Sequence, residues 1–148
     1  MKLELSIPLD DDGFIEMECD FCKGRFMLHE SVFKDETFFH FFCPICGLPG
    51  DTNTFYCEEV IEAAKQMATN YALEEIQRQL GPTLKDINRS GLLKIDMKMP
   101  KKEPVKEIYK PVNESMTIHK NCCDIDVKVS DFDGEIGTYC PICGGADL

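Results

Sequence analysis

Two cysteine pairs, Cys19-Asp-Phe-Cys22 and Cys43-Pro-Ile-Cys46, constrain this chain more than any other stretch. Each pair has two residues between its members, and twenty residues separate Cys22 from Cys43. At that spacing two tight turns on a β-ribbon bring four thiolates to one tetrahedral cation, for which zinc is the expected ion. A Cys-x-x-Cys turn also aims backbone N–H groups at the sulfurs, which spreads the charge that four thiolates concentrate. Reduced thiols packed in a core would need no such pairing.

The motif recurs. Phe42-Cys-Pro-Ile-Cys-Gly47 and Tyr139-Cys-Pro-Ile-Cys-Gly144 share a Cys-Pro-Ile-Cys-Gly core, an internal repeat. Cys140 and Cys143 therefore supply half of a second site. The other half must come from His119-Lys-Asn-Cys122-Cys123. Two residues separate His119 from Cys122, so His119, Cys122, Cys140 and Cys143 fit as one ligand set. Cys123 is the rival donor: Val127 follows it by four residues, as Phe26 follows Cys22, which leaves Lys120 where the first cysteine would fall. Two zinc ions are the expected cofactors. In a chain of 148 residues they would contribute much of the folding energy.

Nine cysteines without a basic-then-apolar leader at Met1-Lys-Leu-Glu-Leu predict a reducing, cytoplasmic setting and metal chemistry in place of disulfides. No apolar run is long enough to predict a membrane span. The net charge of -11 repels phosphate, which counts against nucleic-acid binding by most of the chain. Residues 85–120 differ, with 9 basic against 5 acidic side chains. There Lys94, Lys98, Lys101, Lys102, Lys106 and Lys110, with Tyr109 for stacking, form the one candidate nucleic-acid contact.

Hydrophobic period places the elements. Leu3, Leu5 and Ile7 alternate as a strand, Asp10-Asp-Asp-Gly13 turns, and Phe14 to Glu18 returns into the first knuckle. Gly24 is free to take positive φ. Thr37 to Phe42 reads as a strand with Phe on both faces. Cys57 to Leu80 reads as one long helix, with Val60, Ala64, Met67 and Tyr71 on one stripe and Ala68, Ala72, Ile76 and Leu80 on the next. Gly81-Pro82 is its expected stop. Leu93, Ile95, Met97 and Met99 alternate as a further strand. Pro100, Pro104 and Pro111 punctuate a connector, and Asp131-Phe-Asp-Gly134 is the expected loop at the tip of the second ribbon. The predicted organisation is α+β: an N-terminal hairpin and first ribbon over 1–56, a helix and strand over 57–99, a Lys/Pro-rich connector over 100–114, and a second ribbon-like unit over 115–148.

These motifs resemble the zinc-ribbon proteins, and in particular bacterial proteins with two zinc ribbons flanking a helix. The resemblance implies structural zinc at Cys19, Cys22, Cys43 and Cys46 and no particular activity. The expected function is a non-enzymatic adaptor that holds another protein, with no catalytic residues and no membrane. The alternative is a nucleic-acid-binding ribbon protein that uses the segment 94–110. A rubredoxin-like iron carrier comes third, on the likeness of each Cys-Pro-x-Cys-Gly step to a rubredoxin knuckle.

Overall fold

The computed structural model describes residues 3–96, 98–111 and 115–147. Met97 of the expected strand and residues 112–114 of the expected connector lie outside them. The fold is α+β and divides into two units. One contains Ile61–Glu107 with the chain before Ser6; the other contains Ser6–Val60 and the chain from Ile108 onward.

The ribbon unit is built twice on one plan. In the first repeat, β1 (Phe14–Glu18) turns through the first knuckle into β2 (Arg25–His29). A short helix α1 (Glu30–Lys34) follows, then β3 (His40–Phe42), the second knuckle and β4 (Pro49–Asp51). The second repeat gives β5 (Met116–Lys120), β6 (Ile125–Val129), a short helix α3 (Asp131–Ile136), β7 (Thr138–Tyr139) and β8 (Ala146–Asp147). Residue types preserve the plan at each corner. His29 caps α1 by accepting from the Ser31 N–H, and Ser130 caps α3 by accepting from the Asp133 N–H. Asp131 to Gly134 is thus helix and not the expected loop.

The repeats join through their central strands. The sheet order is β1-β2-β6-β5, and β2 pairs antiparallel with β6, with Met27 opposite Lys128 and Leu28 opposite Val127. A shift of 101 residues maps Phe26, Met27 and Leu28 onto Val127, Lys128 and Val129. Met27 and Lys128, each other's counterparts, therefore sit at a pseudo-two-fold axis. The knuckles obey the same symmetry. The Phe42 N–H donates to the Pro141 carbonyl at 2.8 Å, and the Tyr139 N–H donates to the Pro44 carbonyl at 2.9 Å. A Cβ on Gly47 would lie 3.1 Å from the Tyr139 ring, and one on Gly144 would lie 2.9 Å from the Phe42 ring. Each aromatic ring thus needs the other repeat's glycine.

Alternation along the strands divides the sheet faces. Met17, Phe26, Leu28, Val127 and Val129 bury one face with Phe41 and Phe55. The other face is ionic. Arg25 pairs with Glu16, Glu18 and Glu59. Lys128, at the axis and buried, bonds Asp10 at 2.6 Å and Asp12 at 2.8 Å, with its ammonium 4.4 Å from the centre of the Phe14 ring. Burial pushes the Asp10 carboxyl up, but Lys128 and the backbone N–H groups of Phe14 and Asp12 more than reverse this and hold it low.

Several expectations fail here for physical reasons. β1 pairs with β2, and no strand forms over Leu3 to Ile7. The strand expected from Thr37 shortens to His40–Phe42, with Phe41 in the core and Phe42 against Gly144. Positive φ falls on Lys23, at 59°. Gly24 instead sits close to its surroundings: a Cβ there would lie 2.5 Å from the Ile45 Cδ1 of the facing knuckle and 3.2 Å from the Cys22 sulfur.

The helix α2 (Glu58–Arg89), which belongs to the other unit from Ile61 onward, runs through Gly81 and Pro82. The proline withholds one N–H from the carbonyl of Arg78 without ending the helix. The left-handed cap stands at Gly91, with φ of 71°. Of the predicted stripes Val60 is buried, whereas Ala68, Ala72, Ile76 and Leu80 are exposed. The residues described between Leu93 and Met99 form no strand. The Asn88 side-chain amide serves that backbone instead, accepting from the Ile95 N–H at 2.9 Å and donating to the Ile95 carbonyl at 3.2 Å.

Candidate metal centres

The end of a hairpin and a tight turn make each centre. At the first, β1 delivers Cys19, whose N–H bonds the Gly24 carbonyl while its carbonyl accepts from the Lys23 N–H. The turn that follows presents Cys22. Cys43 and Cys46 come from a turn closed by Gly47 N–H to the Cys43 carbonyl at 2.8 Å and Cys43 N–H to the Leu48 carbonyl at 2.9 Å. Gly47 takes φ of 76° there, a conformation that penalises a Cβ. The second repeat copies this turn, with Gly144 N–H on the Cys140 carbonyl, Cys140 N–H on the Gly145 carbonyl, and Gly144 at 71°.

The sulfurs of Cys19, Cys22, Cys43 and Cys46 all lie within 4.8 Å of one another. The Cys19 and Cys46 sulfurs are 3.7 Å apart, and those of Cys22 and Cys43 are 3.8 Å apart. A zinc–sulfur bond of about 2.3 Å gives a tetrahedron edge of about 3.8 Å. A disulfide would need about 2.05 Å, and all nine cysteines are free. The N–H groups of Ile45 and Cys46 point at the Cys43 sulfur, each at 3.4 Å, and that of Gly24 at the Cys22 sulfur, also at 3.4 Å. These are the donors that a charged thiolate cluster requires.

The second group is Cys122, Cys123, Cys140 and Cys143, again within 4.8 Å of one another. The Cys122 and Cys143 sulfurs are 3.5 Å apart. The chain thus gathers both adjacent cysteines, and His119 stands outside the group. His119 Nδ1 lies 2.8 Å from Asp126 and Nε2 lies 3.4 Å from Asp124, so both ring nitrogens face carboxylates. The shift of 101 residues explains the change of donors. Lys23 and Asp124, the two non-glycine residues at positive φ among the described residues, are counterparts. Cys22 then corresponds to Cys123, Cys19 to Lys120, and the exposed Phe21 to Cys122. Lys120 fills the buried place of Cys19, its ammonium bonding the Thr138 hydroxyl at 2.6 Å and the Thr138 carbonyl at 3.0 Å. The fourth donor has moved outward by two residues, onto the turn.

Protonation differs from thiol to thiol in the metal-free chain. Burial pushes Cys43 up, and burial against Cys143 and Cys140 brings Cys123 to about 12. The Gly145 N–H brings Cys143 down to about 7. Burial raises Cys19 as well, but the N–H groups of Cys22 and Phe21 outweigh it and leave that thiol lowered. A divalent cation must displace the protons that remain, so metal affinity rises with pH.

The other candidates are placed differently. Cys57 is buried beside the Glu16 carbonyl, and burial pushes its thiol up to about 12, the state of an inert packed thiol. Lys102, Lys106 and Lys110 are ion-paired with Glu74, Glu62 and Asp11. The connector lies along α2, with Glu103 held by Gln66 and Asn70. Lys94, Lys98, Lys101 and Tyr109 are exposed.

No helix among the described residues is long and apolar enough to cross a membrane. No protein-family model, curated protein or solved structure matches this chain. The likeness to zinc ribbons therefore rests on the two thiolate groups and the knuckles that carry them.

Proposed function

We propose that the chain is a non-enzymatic protein-interaction module whose ribbons are held in shape by two structural zinc ions. Cys19, Cys22, Cys43 and Cys46 bind one, and Cys122, Cys123, Cys140 and Cys143 bind the other. The observation that carries this reading is the completeness of each donor set. Four thiolates at tetrahedral separations fill the positions of a zinc ion, leaving none for water or substrate.

The ribbons also present large apolar side chains to solvent. Phe21, on the first knuckle, is 71% exposed and Phe39, before β3, is 78% exposed. Phe132 and Ile136 stand out from α3. Such residues cost solubility and suit a partner's surface. The nucleic-acid alternative is weakened by the acids that meet Lys102, Lys106 and Lys110.

The test compares the tagged chain, isolated from its native host after nuclease treatment, with a Phe21→Ser, Phe39→Ser variant. A protein retained by the parent and lost by the variant supports the reading. Tight binding of nucleic acid added to the purified chain at low salt, lost as salt rises, with no such protein, contradicts it.

A further inference from the structure

We propose that the second centre is also a site of reversible oxidation by peroxide, in which Cys122 and Cys143 form a disulfide and the metal is released. This rests on the metal reading above and adds a reaction to one of the two sites.

The argument comes from where the close sulfur pairs lie. In the first centre each close pair contains a buried member. Cys19 with Cys46 at 3.7 Å includes buried Cys19, and Cys22 with Cys43 at 3.8 Å includes buried Cys43. An oxidant that reaches exposed Cys22 finds its 3.8 Å partner, Cys43, inside the core. In the second centre Cys122 and Cys143 are both exposed and only 3.5 Å apart. The relocated donor causes this difference: Lys120 occupies the buried strand position, so the fourth sulfur sits on the outer turn. The β5–β6 and β2–β6 ladders hold that hairpin through backbone hydrogen bonds, so oxidation leaves the sheet in place.

The chemistry balances with hydrogen peroxide as oxidant. One thiolate attacks the peroxide oxygen, breaks the O–O bond, becomes a sulfenic acid and releases hydroxide. The second thiolate attacks that sulfur, the S–S bond forms, and a second hydroxide leaves. Two protons convert both hydroxides to water, and the two electrons lost by sulfur have reduced the peroxide. Loss of two of its four donors frees the cation to solution.

The experiment follows metal content by native mass spectrometry while peroxide is added to the full zinc-loaded chain. Peptide mapping with alkylation then locates each thiol. The expected result is two metals at the start and one after peroxide. A Cys122–Cys143 linkage should form while Cys19, Cys22, Cys43 and Cys46 stay protected, with the second metal lost roughly tenfold faster than the first. Reductant and zinc should then restore both. Simultaneous loss of both metals, earlier loss from the first centre, a different linkage, or retention of both in excess peroxide overturns the inference alone. Fewer than two metals before peroxide overturns the metal reading and the inference with it.

Discussion

The two ribbons share a backbone and differ in what fills it. Both have a capped tip helix, a glycine at positive φ after the second knuckle, and an aromatic ring laid on the partner's glycine. Yet the first repeat places Cys19 and Phe41 in its core, where the second has Lys120 and Thr138 bonded to each other. A buried thiol and a buried ring in one repeat correspond to a buried ammonium bonded to a threonine in the other, where the fourth metal donor, Cys122, is exposed. A duplicated fold thus keeps its geometry while one copy becomes a deeper metal centre and the other a more accessible one.

The largest expected effect separates the copies by metal. Cys43→Ser removes a donor that is also core, and its cost should be about 5 kcal/mol or more, enough to unfold the ribbon unit at 25 °C. Cys143→Ser should release one metal yet leave a folded chain in urea denaturation followed by circular dichroism. Equal unfolding by both would erase the distinction. Next comes the axis itself. Lys128→Met leaves the Asp10 carboxylate, itself only 13% exposed, without its ammonium and should cost about 3 kcal/mol in the same assay.

The glycines sharpen the comparison further. Gly144→Ala meets the Phe42 ring at 2.9 Å and should cost about 2 kcal/mol, against about 1 kcal/mol for Gly47→Ala, where the Tyr139 ring is at 3.1 Å. The reverse order in thermal melts would mean that the knuckles dock differently. Lys120→Met, which leaves the Thr138 carbonyl without that donor, should cost about 1 kcal/mol. Phe21→Ser should change stability by less than about 0.5 kcal/mol, so that any lost binding is read as a lost surface.

Much of this was legible in the chain. The Cys-Pro-Ile-Cys-Gly repeat announced two knuckles, and the phase of Val127 after Cys123 offered Lys120 in the place of Cys19 as the rival to the His119 set. His119 misled because its spacing from Cys122 matches a ligand pair. Asp124 and Asp126 beside it were the sign that its nitrogens had other partners. The docking of β2 on β6 left no mark, since backbone pairing between strands needs no particular side chain. Gly81-Pro82 misled in the same way: a stop signal is a local preference, and the next left-handed glycine, Gly91, ends the helix instead.

The claim that both centres are closed by four thiolates is tested most directly by metal stoichiometry in two variants. Native mass spectrometry should find two zinc ions bound to His119→Ala and one bound to Cys123→Ser. One ion on His119→Ala with two on Cys123→Ser would contradict it, and would return His119 to the second centre.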